Sequence, residues 1–300
     1  MSRALELIGN TPILRIEPWE TGISRNVVIY AKLEFYNPGG SVKDRPAFYM
    51  IRDLENRGLI TKDKILIDAT SGNTGIAYAM ICTIKGYPLT LVVPENASEE
   101  RKKILRILGV NVIYSDPLEG TDGAQEVVEE IVRKNPEKYI LIDQYSNPNN
   151  WLAHYETTAN EIISQTNGKV SHFICSLGTS GTFVGTSKRL KEFNPSIKTY
   201  IIEPDSEYHG IEGIKNLKSS KVPKIFDPCL VDGRFTISTE KAYVMVREFA
   251  RKFGLLIGPS SGLNLSGAFE LARTIDEGVI VTVFPDSGNR YFSNDILWNY

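Results

Sequence analysis

The chain has 300 residues, 42% of them hydrophobic and 23% charged. These are the proportions of an ordinary globular protein with room for one large domain or two average ones. Its formal net charge of −2 gives no general attraction to nucleic acid or an anionic membrane, and no apolar run approaches the roughly 20 residues of a membrane span. Cys82, Cys175 and Cys229 are widely spaced, as are His154, His172 and His209. They fit neither a disulfide frame nor the spacing of metal ligands, so no metal is expected and the thiols read as free and buried. Met1 to Ile16 lacks the parts of a signal peptide, which together with the thiols points to the cytoplasm.

In chain order, Gly9-Asn10-Thr11-Pro12 is a turn and Val27 to Leu33 a β-rich strand. Asn37-Pro38-Gly39-Gly40 shapes a second turn that leads through Ser41 and Val42 to Lys43, Asp44 and Arg45. Pro46 suits only the first turn of a helix, and Ala47, Met50, Ile51 and Leu54 repeat at helical spacing, so a packed helix starts beside Lys43. Strand Lys64 to Ala69 follows, then an almost wholly apolar helix from Ile76 to Ile84 closed by Gly86. Strand Leu89 to Val93 leads to a helix capped by Ser98 and ended at Gly109. Then come strand Val112 to Tyr114, helix Ala124 to Arg133 and strand Tyr139 to Ile142.

After the turn-forming cluster Ser146 to Asn150 the alternation resumes. The predicted order is a helix through Ile163, strand His172 to Ser176, a helix from Thr182 and strand Tyr200 to Glu203. Helix Thr239 to Phe253, strand Leu255 to Ile257, helix Leu263 to Arg273 and strand Val279 to Phe284 complete it. Alternating strands and helices with short connections specify parallel sheets covered by helices.

Four stretches carry chemistry. Lys43 stands where a tight loop meets a helix N-terminus, whose positive potential favours the neutral, nucleophilic amine. Thr70-Ser71-Gly72-Asn73-Thr74, between a buried strand and a buried helix, is either a capping turn or a carboxylate site. Gly178-Thr179-Ser180-Gly181-Thr182 is either a flexible turn or a phosphate cradle, with glycines for close approach and hydroxyls as donors. It matches no nucleotide-binding fingerprint. Pro259-Ser260-Ser261-Gly262 follows the strand Leu255 to Ile257 and reads alone as a helix cap.

Taken together, these motifs and their order resemble the fold-type-II pyridoxal-phosphate enzymes, the cysteine synthase and cystathionine β-synthase group, and among them the B-type cysteine synthases. N-P-x-x-S-x-K-D-R is similar to the family's lysine segment, which makes Lys43 the residue joined covalently to pyridoxal 5'-phosphate and the base for the substrate's α-proton. S-G-N-T-G resembles the substrate loop. The resemblance gives Thr70, Ser71, Gly72, Asn73 and Thr74 to the amino-acid carboxylate, with Gln144 beside them, and Asn73 also to the cofactor's ring oxygen. Gly178, Thr179, Ser180, Gly181 and Thr182 match the phosphate loop, and Ser260 the serine facing the pyridine nitrogen. A neutral hydroxyl there makes the ring a weaker electron sink, which suits β-elimination and replacement rather than transamination. Pro285-Asp286-Ser287-Gly288-Asn289-Arg290-Tyr291 resembles the family's C-terminal S-G-x-R-Y-x-S segment, with Pro285 where the family often has Ser or Cys.

The resemblance implies a tryptophan-synthase-β-like α/β fold of two domains with the cofactor between them. Residues 38–148 are the smaller, mobile domain; 1–37 and 149–300 form the larger. The implied reaction is β-replacement on an O-activated L-serine by sulfide to give L-cysteine, in a homodimer with small-molecule substrates; a serine acetyltransferase partner is left open. Cystathionine β-synthase-like or serine dehydratase-like chemistry is the nearest alternative, and a non-catalytic phosphate-ligand module the remote one. His209 to Ile214 resembles the loop over the substrate side chain. The lysines that follow, Lys215, Lys218, Lys221 and Lys224, read as a solvated face, or else Lys215 reaches the β-substituent and favours O-phosphoserine beside the default, O-acetylserine.

Overall fold

The computed structural model describes residues 3–70 and 72–298. Strands β1 (Ile13–Ile16) and β2 (Asn26–Leu33) form an antiparallel pair. Helix α1 (Asp44–Asn56) starts one residue after Lys43. Then alternate β3 (Ile65–Ala69), α2 (Asn73–Lys85), β4 (Leu89–Pro94), α3 (Glu99–Ile107), β5 (Asn111–Ser115), α4 (Gly120–Lys134) and β6 (Tyr139–Leu141). A helical stretch comprises α5 (Asn149–Ala153), a π turn (His154–Thr158) and α6 (Ala159–Gln165). The remaining elements are β7 (His172–Ser176), α7 (Gly181–Phe193), β8 (Lys198–Pro204), β9 (Gly233–Ile237), α8 (Thr239–Phe253), α9 (Pro259–Ala272), β10 (Glu277–Phe284) and α10 (Asp295–Trp298).

The strands form two sheets, ordered β5-β4-β3-β6 and β1-β2-β10-β7-β8-β9. Every pair is parallel except β1 with β2. Helices cover both sheets: α1 and α2 enclose one core with Leu66, Leu89 and Leu91, while α8 and α9 enclose another with Ile29, Ile202 and Phe284. The apolar run of α2 is explained by this burial, with Ile76, Ala77, Tyr78, Ala79, Ile81 and Cys82 all inside. In both sheets the C-terminal strand ends and the N-termini of the following helices face the same cleft, the usual ligand position in parallel α/β sheets.

Three sequence expectations are corrected. Leu255 to Ile257 is not a strand; Ile257 makes only an isolated bridge to Ser287. Helix α8 closes at Gly254 and Pro259 opens α9, while β10 already fills the place between β2 and β7. Pro259 to Gly262 is therefore the first turn of a buried helix. Ser98 occupies the N-cap position of α3 but makes no side-chain capping bond. Of the thiols, Cys82 and Cys175 are buried but Cys229 is exposed, in a short turn (Pro228–Leu230) outside the cores. Strands β1 and β9, each half-exposed and short, were not foreseen.

A buried charge cluster joins the N-terminal segment, α1 and α6. The Arg45 guanidinium, 1% exposed, donates to both carboxylate oxygens of Glu34 at 2.7 and 2.8 Å and to both of Glu161 at 2.6 and 2.8 Å. The Lys32 ammonium, wholly buried, pairs with Glu161 at 2.6 Å. Thr11, from the Gly9–Pro12 turn, donates to Glu34 at 2.7 Å. Burial works against the charge of Glu161, but Arg45 and Lys32 outweigh it and hold its carboxyl down at about 2.

A carboxyl whose folded value lies below its unfolded one stabilises the fold above the unfolded value, and that contribution is lost as the pH falls through the folded one. Glu161→Gln is therefore expected to cost about 3 kcal/mol at pH 7. The gap from the unsubstituted chain should narrow steadily between pH 5 and pH 2. Denaturant unfolding across that range checks it.

Candidate active site

Lys43 stands at the N-cap of α1. The turn before it is pinned by Asp44, which accepts from the Gly39 amide at 2.5 Å, and by Val42, whose amide donates to the Pro285 carbonyl at 2.8 Å. Burial lowers the Lys43 ammonium to about 8, against an opposing pull from the Asp286 carboxylate. The direction is the one the sequence suggested; burial, rather than the helix end, is its leading cause.

Across the cleft, Thr70, Gly72 and Asn73 end β3 and open α2, and Ser71 lies outside the described residues. The Gly72 amide donates to the Thr70 hydroxyl at 3.1 Å, and the Thr74 hydroxyl to Gln144 Oε1 at 2.9 Å. Gln144 Nε2 donates to the Ala69 carbonyl at 2.7 Å, so the residue spans the loop from strand end to helix start. Beneath it Asp68 accepts from Tyr78 Oη at 2.9 Å, from the Ala69 amide at 2.8 Å and from the Gln144 amide at 3.3 Å. Burial raises the Asp68 carboxyl to about 7 despite these donors.

On the larger sheet, β7 ends and α7 begins around Gly178 to Thr182. Ser180 takes the left-handed conformation, φ 68°, and its buried hydroxyl has no hydrogen-bond partner. Thr179 accepts from Asn150 Nδ2 at 3.1 Å. A Cβ on Gly181 would stand 1.9 Å from Asn150 Oδ1, and one on Gly178 would stand 2.3 Å from the Gly213 carbonyl oxygen. Both positions thus require glycine for close packing. Thr182 meets His154 Nε2 at 3.3 Å, and burial lowers that imidazole to about 3. The other ring nitrogen, Nδ1, meets the Thr158 hydroxyl at 2.9 Å within the same π turn.

These groups share one cleft. Lys43, Asn73, Gly178, Thr179 and Ser180 meet Ser260, at the start of α9, in its inner part. Thr70, Gly72, Thr74, Gln144 and Lys215 line an outer cavity of ≈ 480 Å³ that also contains Lys43. Gly181 backs the cradle, and Thr182 lines the inner part. Lys218, Lys221 and Lys224 are exposed, but Lys215 turns inward. Its ammonium lies 3.3 Å from Asp122 and 5.4 Å from the centre of the Tyr145 ring. Sequence reasoning missed several residues here: Asp286 and Tyr291, which line the cleft, Arg290, which reaches Asn73 from the same segment, and Arg101, which pairs with Glu212 at the cleft mouth. The signal for the first three was the segment Pro285 to Tyr291, whose resemblance was noted without roles.

Two parallel α/β sheets facing a cleft with a lysine on one wall and a helix-end cradle on the other define a fold-type-II enzyme. The family model described as pyridoxal-phosphate dependent enzyme matches residues 4–286, and the chain belongs to that family. A cysteine synthase of Aquifex aeolicus is 49% identical over 298 residues, 98% of this chain and 91% of the relative. Cysteine synthase B of Escherichia coli is 38% identical over 297 residues, 99% and 96% of the two chains. The crystal structure of a hydrogen sulfide-producing enzyme from Fusobacterium nucleatum superposes with a TM-score of 0.90 at 41% identity, covering 96% of this chain and 99% of that one.

The residues fit the cofactor. A buried hydroxyl without a partner, a left-handed residue and a 13-residue helix start form a donor set suited to a phosphate. A lysine lowered to about 8 stands within the same pocket for the aldehyde. Among the described residues no group of His, Cys, Asp or Glu could hold a metal ion, and no helix is long and apolar enough to cross a membrane.

Gly181→Ala should weaken pyridoxal-phosphate affinity at least about tenfold, because the added methyl displaces Asn150 and with it Thr179. Fluorescence titration of cofactor-free protein measures it.

Proposed function

We propose that the protein is a cysteine synthase, replacing the β-substituent of an O-activated L-serine with sulfide to form L-cysteine. The single observation that carries this reading is the shared cleft. It brings Lys43 between a carboxylate-sized loop and a phosphate-sized cradle, in a chain similar throughout its length to cysteine synthases.

When bound, pyridoxal phosphate accepts the electron pair left as the substrate's Cα–H bond breaks. The rest falls to the chain. Gly178 to Thr182 and the start of α7 would hold the phosphate, and Ser260 would face the ring nitrogen with a hydroxyl that leaves it unprotonated. Thr70, Gly72, Asn73, Thr74 and Gln144 would hold the substrate carboxylate, Ser71 completing the same loop. The Lys43 amine would take the α-proton, and Lys215 would stand near the leaving group. Residues 38–148, in this reading, move as a unit toward 1–37 and 149–300 when the carboxylate docks, which excludes water from the reacting atoms. The resemblance supports a homodimer, and the free thiols support a cytoplasmic setting.

Purified protein given O-acetylserine or O-phosphoserine, then sulfide, homocysteine or no nucleophile, tests the reading by product analysis. Cysteine as the main product supports it; cystathionine or pyruvate as the main product replaces it with the corresponding relative's chemistry. Lys43→Ala should abolish turnover and covalent cofactor retention. Borohydride reduction of the unsubstituted holoenzyme followed by digestion should place the label on Lys43, and a label on another lysine would refute the assignment.

The leaving group is tested at Lys215. A phosphate dianion gains more than a neutral acetyl ester from a charge-assisted contact. Lys215→Ala should therefore lower kcat/KM for O-phosphoserine relative to O-acetylserine by about tenfold. An unchanged ratio would mean that Lys215 serves only its pair with Asp122.

A further inference from the structure

We propose that Asp286 is a positioning residue of the reaction: its carboxylate fixes the Asn73 amide and is the counter-charge against which Lys43 carries its proton. The inference rests on the reading of Lys43 as the reacting amine and extends it to a residue to which the resemblance gave no role.

Asp286 follows β10 directly and is 1% exposed. Its backbone is held on two sides. The carbonyl accepts from the Gly258 amide at 3.1 Å, and the residue bridges to Ser41 in the lysine turn. One carboxylate oxygen, Oδ2, accepts from Asn73 Nδ2 at 2.7 Å and from Tyr291 Oη at 2.6 Å. The other, Oδ1, is buried against Gly258 with no hydrogen-bond partner, and the residue lines the pocket that also contains Lys43. An unpartnered buried carboxylate oxygen is costly unless a donor reaches it at some stage of function.

Arg290, four residues on, completes a clamp. It donates to Asn73 Oδ1 and to the Gly39 carbonyl of the lysine turn. The Asn73 amide is thereby held at both ends, oxygen toward Arg290 and nitrogen toward Asp286, with one N–H left to face the pocket. An amide bonded this way has a single orientation, which the carboxylate and the guanidinium impose together.

The charge argument is independent. Lys43, Cys175 from β7, Glu212 and Tyr291 line the pocket with Asp286, and Arg101 pairs with Glu212 at its mouth; Arg290 meets the far end of the Asn73 amide, with Asp44 within its electrostatic reach. Of these, Asp286 is the strongest influence opposing the burial that lowers the Lys43 ammonium, with Cys175 second. When the Lys43 nitrogen takes the α-proton, a N–H bond forms and the Cα–H bond breaks. Bound pyridoxal phosphate would accept the electron pair, and the lysine would be left as an ammonium inside the cleft. The Asp286 carboxylate offsets that charge.

The test uses the full chain freed of cofactor, with acylation of Lys43 followed by peptide mass spectrometry across pH 6–10. The unsubstituted chain should reach half-maximal rate near 8. In Asp286→Asn the midpoint should fall by at least about one pH unit, and kcat of the reloaded enzyme should fall at least about tenfold more than KM changes. Asp286→Glu should recover part of the midpoint. Should Asp286→Asn fail to fold, Tyr291→Phe serves instead: it keeps the charge and removes one donor, so its midpoint should stay or rise. An unchanged midpoint in folded Asp286→Asn, or a fall in Tyr291→Phe, overturns the proposal. Because acylation needs no substrate, a protein that makes no cysteine yet shows these shifts would refute the proposed function and leave this inference standing.

Discussion

The position of Lys43 depends on the charges buried behind it. Glu34, Arg45 and Lys32 are almost wholly inside the protein, where each alone would cost several kcal/mol. Together with Glu161 and Thr11 they satisfy one another, and they do so only if the N-terminal segment, α1 and α6 stand in one arrangement. Arg45 is two residues from Lys43, so the arrangement that neutralises the cluster also sets the first turn of α1 and the direction in which the lysine leaves it. Such clusters contribute little net stability compared with an apolar core, but they tolerate no partial assembly. Here that intolerance falls on the residue whose placement matters most.

The cleft follows from the sheets. Parallel strands place every helix start on the same side, and two such sheets face each other through their strand ends. α2 and α7 thereby point opposed N-termini, one with Asn73 and Thr74, the other with Gly181 and Thr182, into a common space. Negative groups on a ligand meet backbone amides at both ends. The C-terminal segment Pro285 to Tyr291 closes the third wall, tied by backbone or side chain to the lysine turn, to α2 and to the start of α9.

Much of this was legible from residue order. The apolar run of α2, the Pro46 start of α1 and the span of α8, Thr239–Phe253, could be read from spacing because burial and capping act locally. β1 and β9 could not: each is short, half-exposed and defined by the strand it pairs with, which is a long-range fact. Leu255 to Ile257 failed for the opposite reason. Its apolar residues announce burial, but whether a buried run joins a sheet depends on a vacant edge. In the site, the glycine- and hydroxyl-rich loops stood out, whereas Asp286 and Arg101 did not. A lone charged residue in sequence looks solvated, and only the fold shows which neighbours enclose it. Lys215 illustrates the same point: its place next to the loop His209 to Ile214 set it apart from the three lysines that follow, but only the fold shows it turned inward.

Asp68 lies under the turn between β3 and α2, and burial raises its carboxyl to about 7, so at neutral pH it is shared between its two protonation states. Its Gln144 contact links it to the hydroxyl of Thr74. A carboxylate docking on the loop above would add a second negative charge to this low-dielectric neighbourhood and favour the protonated acid. Substrate capture would then be accompanied by uptake of a fraction of a proton from solution. The measured heat of binding would change with the ionisation enthalpy of the buffer, and this proton would add to any exchanged by the substrate's own amino group.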